Sequence, residues 1–116
     1  LGYNQQVQIM NFVADATGDF PVIINAKDVL MNPQKILSEI CRIMQIEFDD
    51  RMLYWPAGKR DTDGVWAPHW YSEVEKSTGF QPYSDKNIVL DSKWEDIYDR
   101  CMIDYKILNS RSIKVD

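Results

Sequence analysis

The stretch PVIIN, residues 21–25, constrains the fold of this chain more than any other segment. It is a short run of β-branched apolar residues after a proline, a pattern typical of a buried strand. The backbone groups of such a strand must be paired, and the rest of the sequence predicts helices and loops. The strand therefore requires a sheet whose other members lie elsewhere. Either a partner supplies them, or the chain is the C-terminal part of a larger α/β domain.

A helical bundle is the alternative fold, in which residues 21–25 are only an extended connector. The chain has 116 residues, which favours a single domain over residues 1–116. Hydrophobic residues make up 45% of it, which is ordinary for a globular protein and allows a core of modest size. Both folds are therefore compatible with the composition.

Apolar residues at helical spacing predict helices over residues 3–17 and 33–45. Gly18 follows the first helix as a C-terminal stop, and Asn32 precedes the second as its N-cap. The helix over residues 92–109 is the clearest, because Ser92 and Glu95 have capping-box spacing and a long apolar stripe follows. That stripe faces either a core or a partner, and it consists of Trp94, Ile97, Tyr98, Cys101, Met102, Tyr105 and Leu108.

The charge and the cysteines exclude several classes of function. The formal net charge is −5, whereas general nucleic-acid binders are basic. No apolar run approaches the roughly 18 residues of a membrane-spanning helix, and residues 1–10 lack the features of a signal peptide and a starting Met. Cys41 and Cys101 have no metal-ligand spacing and are interpreted as reduced core residues. We therefore expect a cytoplasmic piece of a longer protein, without a metal, a nucleic-acid partner or a membrane partner.

Residues 58–80, GKRDTDGVWAPHWYSEVEKSTGF, concentrate cations and aromatic rings in a segment with little core periodicity. Adjacent cations such as Lys59 and Arg60 are the charge-assisted donors that a phosphate dianion requires. The alternative is a solvated loop in which Asp61 and Asp63 neutralise both cations. Phosphate binding and ordinary surface charge therefore both remain open at this point.

The aromatic part of this segment includes His69, the single histidine of the chain. A histidine can act as a general base, but its aromatic neighbours and the lack of a partner at fixed spacing favour a structural role. Trp66 is expected to anchor the loop below the cations. A further helix is predicted over residues 67–77, with Gly79 beyond its end in a left-handed conformation.

The segment VIINAKDVLMNPQKILSEICRIMQIEFDDRML, residues 22–53, resembles the late strand-and-helix unit of P-loop sulfotransferases. In that family a strand ends in an acidic corner, a proline starts the next helix, and a hydrophobic-Phe turn follows. Residues 27–30 match the corner and residues 45–48 the turn, with Gln45 where glycine is common. Residues 55–80 are similar to a signature of a bacterial and plant sulfotransferase-like branch.

The resemblance implies a lid loop, residues 54–80, that holds the 3'-phosphate of the donor 3'-phosphoadenosine-5'-phosphosulfate. The family has Arg-Lys-Gly followed by Gly-x-Trp in this loop. Lys59 and Arg60, then Gly64 and Trp66, stand at the matching positions, and Asp61 replaces the first glycine. These four residues are the implied cofactor-binding set, while the catalytic residues are unknown and no metal is implied.

The fold class implied by the resemblance is α/β: a mostly helical, C-terminal portion of a P-loop three-layer domain with one strand. The reaction would transfer a sulfuryl group to a hydroxyl or amine of a small acceptor molecule. No Gly-rich phosphate loop with Lys and Ser/Thr occurs in the chain, so alone it is expected to be inactive. The expected protein partner is the missing N-terminal portion, or a second copy paired through the strand.

Two other functions remain compatible with the residues. One is a non-enzymatic, mostly helical module for protein interaction or oligomerisation, in which the aromatic loop binds a partner. The other is a family member that has kept the fold and lost the chemistry. A phosphate loop encoded upstream of these residues would favour the enzyme over the interaction module.

Overall fold

A computed structural model describes residues 1–115, so Asp116, the end of the predicted single domain, lies outside the described residues. This part of the chain contains helices and loops, and its 3-10 turns lie at Asp50–Met52 and Ser92–Trp94. The α-helices are α1 Tyr3–Thr17, α2 Ala26–Met31, α3 Pro33–Met44, α4 Ala67–Trp70, α5 Ser72–Lys76 and α6 Glu95–Ser110. No helix among these residues is long and apolar enough to cross a bilayer.

The predicted strand at residues 21–25 is wrong, and so is the α/β class that depends on it. Across residues 1–115, β-pairing is limited to one isolated antiparallel bridge between Tyr54 and Gly79. The segment is a connector, which receives a hydrogen bond at 3.0 Å from the Ile113 N–H to the Ile23 carbonyl. A β-branched run becomes a strand only where another strand pairs its backbone, and the helices around it cannot do so.

The predictions of α1 and α3 are confirmed, together with their caps. Gly18 ends α1 with a left-handed φ of 82°, and its N–H donates to the Ala14 carbonyl at 2.8 Å. The Asn32 side chain begins α3 by accepting a hydrogen bond from the Lys35 N–H at 3.1 Å. Both ends were predictable because a cap depends on a few consecutive residues.

Asn25 ties the connector to two helices. Its side-chain oxygen accepts from the Lys27 N–H at 3.0 Å and begins α2, which takes the place of the predicted corner. Its side-chain nitrogen donates to the Tyr105 hydroxyl at 2.5 Å and to Asn109 Oδ1 at 3.1 Å. The Tyr105 ring also meets Tyr3 of α1 edge-on, with 5.9 Å between ring centroids. Asn25 therefore helps to hold α1, α2 and α6 in one arrangement.

Two details of the later helices differ from the predictions. Asp91 caps the 3-10 turn Ser92–Trp94 by accepting from the Lys93 N–H at 3.1 Å, and α6 follows without a side-chain cap, so the predicted capping box is not formed. The helix predicted over residues 67–77 is divided into α4 and α5 at Tyr71.

Gly79 does not adopt the predicted left-handed conformation. A Cβ at this position would lie 3.1 Å from the Leu53 carbonyl oxygen, so the close backbone approach favours glycine.

The described part of the chain exposes much more surface than a complete domain of its size. Its radius of gyration is 17.1 Å, whereas a compact domain of this length has about 13 Å. Its accessible surface is 9461 Å², against roughly 6,600 Å² for a folded monomer of this mass. The buried side chains are Met10, Ile36, Cys41, Leu53, Ala67, Leu108 and Ser112. The helices therefore leave large apolar faces uncovered.

Acid pH is expected to weaken the 3-10 turn that Asp49 caps. Hydrogen bonds from the Arg51 side chain, and then from its backbone N–H at 2.8 Å, lower the pKa of Asp49 from 3.8 to about 2. The pKa of Asp49 is lower in the folded chain than in the unfolded chain. The ionised carboxylate therefore stabilises the fold fully at any pH above the unfolded pKa. This stabilisation is lost as the pH falls from about 4 towards 2.

An NMR titration of the Asp49 carboxyl tests this expectation, with the urea-unfolded chain as reference. The midpoint should lie near pH 2 in the folded chain and near 3.8 in urea. Asp49→Asn should remove this share of the acid sensitivity. Equal midpoints in both states would contradict the capping interaction.

Candidate functional site

The loop at residues 54–66 is fixed to the end of α5 by Trp55. The Trp55 N–H donates to the Thr78 carbonyl at 3.1 Å, and its indole Nε1 donates to Ser77 Oγ at 2.9 Å. The ring packs edge-on against Phe80, with 5.5 Å between centroids. The two ends of the 54–80 segment are therefore joined, and the cations lie on the loop between them.

Gly58 is a site residue that the sequence analysis missed. Its φ of 119° is a backbone conformation that favours glycine, and its N–H donates to the Glu75 carbonyl at 2.7 Å. This contact brings the loop against α5 immediately before Lys59. The glycine beside the cation pair was the only sequence signal for it. Gly64, which the sequence singled out, lies in the turn that leads into α4, where its carbonyl accepts from the Ala67 N–H at 3.0 Å.

A tight turn presents Arg60 and Lys59. The Arg60 carbonyl accepts from the Asp63 N–H at 3.0 Å, and the Arg60 N–H donates to Asp63 Oδ2 at 3.1 Å. The Arg60 guanidinium donates from Nη2 to the Pro56 carbonyl at 3.2 Å. A guanidinium has five N–H donors, so several remain for a ligand.

Both cations are exposed, and among residues 1–115 neither forms an ion pair with a carboxylate. Asp61 and Asp63 share the turn with the two cations without a direct ion pair, so phosphate binding and ordinary surface charge both stay predictions. The Asp63 carboxylate is used for the Arg60 backbone instead of its side chain. The turn therefore presents both cations at the surface, with Asp61 and Asp63 in the same turn.

Trp66 does not anchor the loop, because 67% of its surface is exposed. Trp55 holds the loop in place through its contacts with Ser77, Thr78 and Phe80. The Trp66 ring lies near His69, with 6.3 Å between centroids and a 59° tilt. Within the described part of the chain no group of His, Cys, Asp and Glu can hold a metal ion. Gly64 and Trp66 thus follow the cations along one loop, and the tryptophan ring is exposed.

The bond between Trp55 and Ser77 is expected to stabilise the loop by about 1 kcal/mol, as is typical of a single hydrogen bond. Trp55→Phe should lower the free energy of unfolding by that amount and speed proteolysis within residues 54–66. Trp70→Phe, a change to an exposed tryptophan, is the matched control and should have little effect.

A double-mutant cycle with Ser77→Ala isolates the interaction, although Ser77 Oγ also donates to the Val74 carbonyl at 2.7 Å. The double variant should lose less stability than the two single variants added together. Strict additivity in urea denaturation would show that the bond does not contribute.

A family model described as a sulfotransferase domain matches residues 6–112. The match includes most of α1, all later helices and the whole cation-bearing loop. It therefore covers the segments on which the resemblance was based. No solved structure matches the chain.

Two curated proteins of Arabidopsis thaliana are similar to the chain. Branched-chain-amino-acid aminotransferase-like protein 2 is 33% identical over 108 residues, which is 93% of this chain and 19% of that protein. Branched-chain-amino-acid aminotransferase-like protein 1 is 34% identical over 110 residues, which is 95% of this chain and 20% of that protein. The chain thus spans about a fifth of the length of these relatives.

Proposed function

The chain belongs to the sulfotransferase domain family, and from this premise we propose that it is the C-terminal portion of a sulfuryl-transferring enzyme. The donor is 3'-phosphoadenosine-5'-phosphosulfate, and the acceptor is a hydroxyl or amine of a small molecule. The observation that carries the proposal is the pair Lys59 and Arg60, exposed and without a carboxylate partner among the described residues. Charge-assisted donors of this kind fit a phosphate dianion.

The residues of the loop fit the nucleotide end of the donor. Arg60 can offer parallel N–H donors to the 3'-phosphate, and Lys59 adds a second positive charge. The exposed ring of Trp66 is available to stack on adenine. Nothing lies within 4 Å of the position that a Gly64 side chain would take, so the backbone there is open to a ligand. Asp61 opposes the binding of an anion and is expected to moderate the affinity.

When bound, the donor would supply a sulfuryl group, whose sulfur would bond to the acceptor as its bond to the bridging phosphate oxygen breaks. Adenosine 3',5'-bisphosphate would be the leaving group, and the acceptor's proton would pass to the group that activates the acceptor. The residues of this chain act by holding the nucleotide in place and by balancing its negative charge. Positioning and charge stabilisation are large contributions to group-transfer catalysis. We propose that the phosphosulfate-binding loop and the group that activates the acceptor belong to the rest of the domain, so that the chain alone is inactive.

Calorimetry with adenosine 3',5'-bisphosphate tests the proposed function. It compares residues 1–116 with the full-length natural protein that contains them. We expect binding by the full-length protein only, and weaker binding of adenosine 5'-monophosphate, which lacks the 3'-phosphate. Absence of binding by a folded full-length protein would refute the proposal.

The uncovered apolar faces favour a second candidate, the helical interaction or oligomerisation module. In that case neither the 116-residue chain nor the full-length protein binds the nucleotide, and the 116-residue chain self-associates. Cytoplasmic localisation also stays a proposal, supported by the two free cysteines, Cys41 and Cys101.

A further inference from the structure

An apolar groove of about 530 Å³ lies between the start of α1 and α6. Its lining includes Tyr3, Leu90, Trp94, Tyr98, Cys101 and Tyr105. These side chains are aromatic, aliphatic or sulfur-containing, and the groove has no charged lining residue. Tyr98, Cys101 and Tyr105 belong to the apolar stripe of α6, which faces this groove along most of its length, while Leu108 of the same stripe is buried.

We propose that this groove is an interface for the polypeptide that completes the sulfotransferase domain, and that its occupant is an uncharged, aliphatic segment. The inference rests on the proposed function, because it assigns a docking surface to the missing portion of that enzyme. The proposal places the interface between the two portions of the domain on α6 and the beginning of α1. The cation-bearing loop is a separate feature of the chain.

The exposed area argues for a large occupant. The surface of 9461 Å² exceeds that of a complete monomer of this mass by roughly 2,900 Å². A standard interface between two protein molecules covers only about 800 Å² on each partner. A second copy docked in the groove would leave most of the excess uncovered. The remainder of a domain is large enough to cover an excess of this size.

The chemistry of the lining determines the kind of segment. A charged side chain in this groove would lose hydration without gaining a partner, which is costly. Aliphatic side chains pack well against aromatic rings and the thioether of Met102, which also lines the groove. Charged residues lie beside it, since Arg100 and Asp104 line the neighbouring cavity. An apolar centre with a polar rim is the usual anatomy of a protein interface.

Cys101 provides a direct probe of the groove, because it is half-buried there while Cys41 is fully buried. We would measure maleimide labelling of both thiols in the native and urea-unfolded full-length natural protein, with peptide mapping. Cys101 should react at least ~100-fold more slowly in the native protein, as expected for a thiol inside a stable interface. The thiol in the 116-residue chain should react at a rate within about tenfold of the unfolded one, since its groove is open. Fast native labelling of Cys101 would overturn the inference.

Two variants of neighbouring residues separate docking from general stability. Tyr98→Lys puts a charge in the groove and should speed Cys101 labelling in the full-length protein. Asp99→Lys changes an exposed position that does not line the groove and should leave the rate unchanged. Equal effects of both variants would count against the groove.

Three further outcomes are distinguishable. Protection of Cys101 that disappears on dilution would mean a second copy in the groove and would overturn the inference. Nucleotide binding with a reactive Cys101 would refute the groove while the proposed function stands. A protected Cys101 without nucleotide binding would support the groove and refute the proposed function.

Discussion

Ile36→Ala is expected to lower the free energy of unfolding by about 2–5 kcal/mol, the usual cost of truncating a buried isoleucine. The Ile36 side chain on α3 has 0% exposure, and the buried set around it is small. A cavity there removes apolar contacts that nothing else in the chain replaces. Because small domains are stabilised by only about 5–15 kcal/mol, the variant should be largely unfolded at moderate urea concentrations.

Ile43→Ala is the matched control, since it changes the same residue type in the same helix. Its side chain is 43% exposed, so the transfer of methyl groups to water contributes less. We expect a loss of under about 1 kcal/mol for this variant, as for other half-exposed sites. Urea denaturation followed by circular dichroism measures both variants. Equal losses would show that Ile36 is not the centre of the core.

The helices were predictable because their determinants are local. The apolar period of α1, Gly18 at its end and Asn32 at the start of α3 all act within a few residues. Residues 21–25 were not predictable in the same way, because a strand exists only if distant residues pair with it. Their β-branched composition indicates extended backbone, and here the extended segment is held by the Asn25 side chain.

Glycines show the same division between local and distant causes. Gly79 was expected to be left-handed because it follows a helix, whereas the actual constraint is the Leu53 carbonyl, 26 positions earlier in the sequence. Gly58, and not Gly79, has a positive φ, and its N–H contacts the Glu75 carbonyl on α5. A turn-forming residue is visible in the sequence, but the reason for it depends on which backbone approaches.

The candidate site divides in a similar manner. The cations were identified from the sequence because two adjacent positive charges need no structural context to be noticed. The anchoring tryptophan was misassigned, because the sequence alone does not distinguish Trp55 from Trp66 when both lie in one loop. Which of them is held depends on Ser77 and Phe80, more than 20 residues after Trp55. The hydrogen bond between Asp63 and the Arg60 backbone was likewise not predictable, because it depends on the conformation of the turn.

Arg60→Ala is expected to weaken adenosine 3',5'-bisphosphate binding by about 10- to 150-fold in the full-length natural protein. This range corresponds to the roughly 1.5–3 kcal/mol typical of hydrogen bonds to charged groups. Arg60 is the stronger candidate of the pair because its turn is fixed by two backbone contacts with Asp63. Arg60→Lys should give an intermediate affinity, since it keeps the charge and loses the parallel donors.

Calorimetry with two nucleotides assigns the effect to the 3'-phosphate. Arg60→Ala should change the affinity for the bisphosphate and leave that for adenosine 5'-monophosphate nearly unchanged. Arg51→Ala, which removes an exposed arginine paired with Asp49 outside the loop, is the matched control and should bind the bisphosphate as the natural protein does. An unchanged bisphosphate affinity in a folded Arg60→Ala variant would refute the assignment. Equal losses for both nucleotides would instead place Arg60 against a part of the ligand that both share, which is the adenosine or the 5'-phosphate.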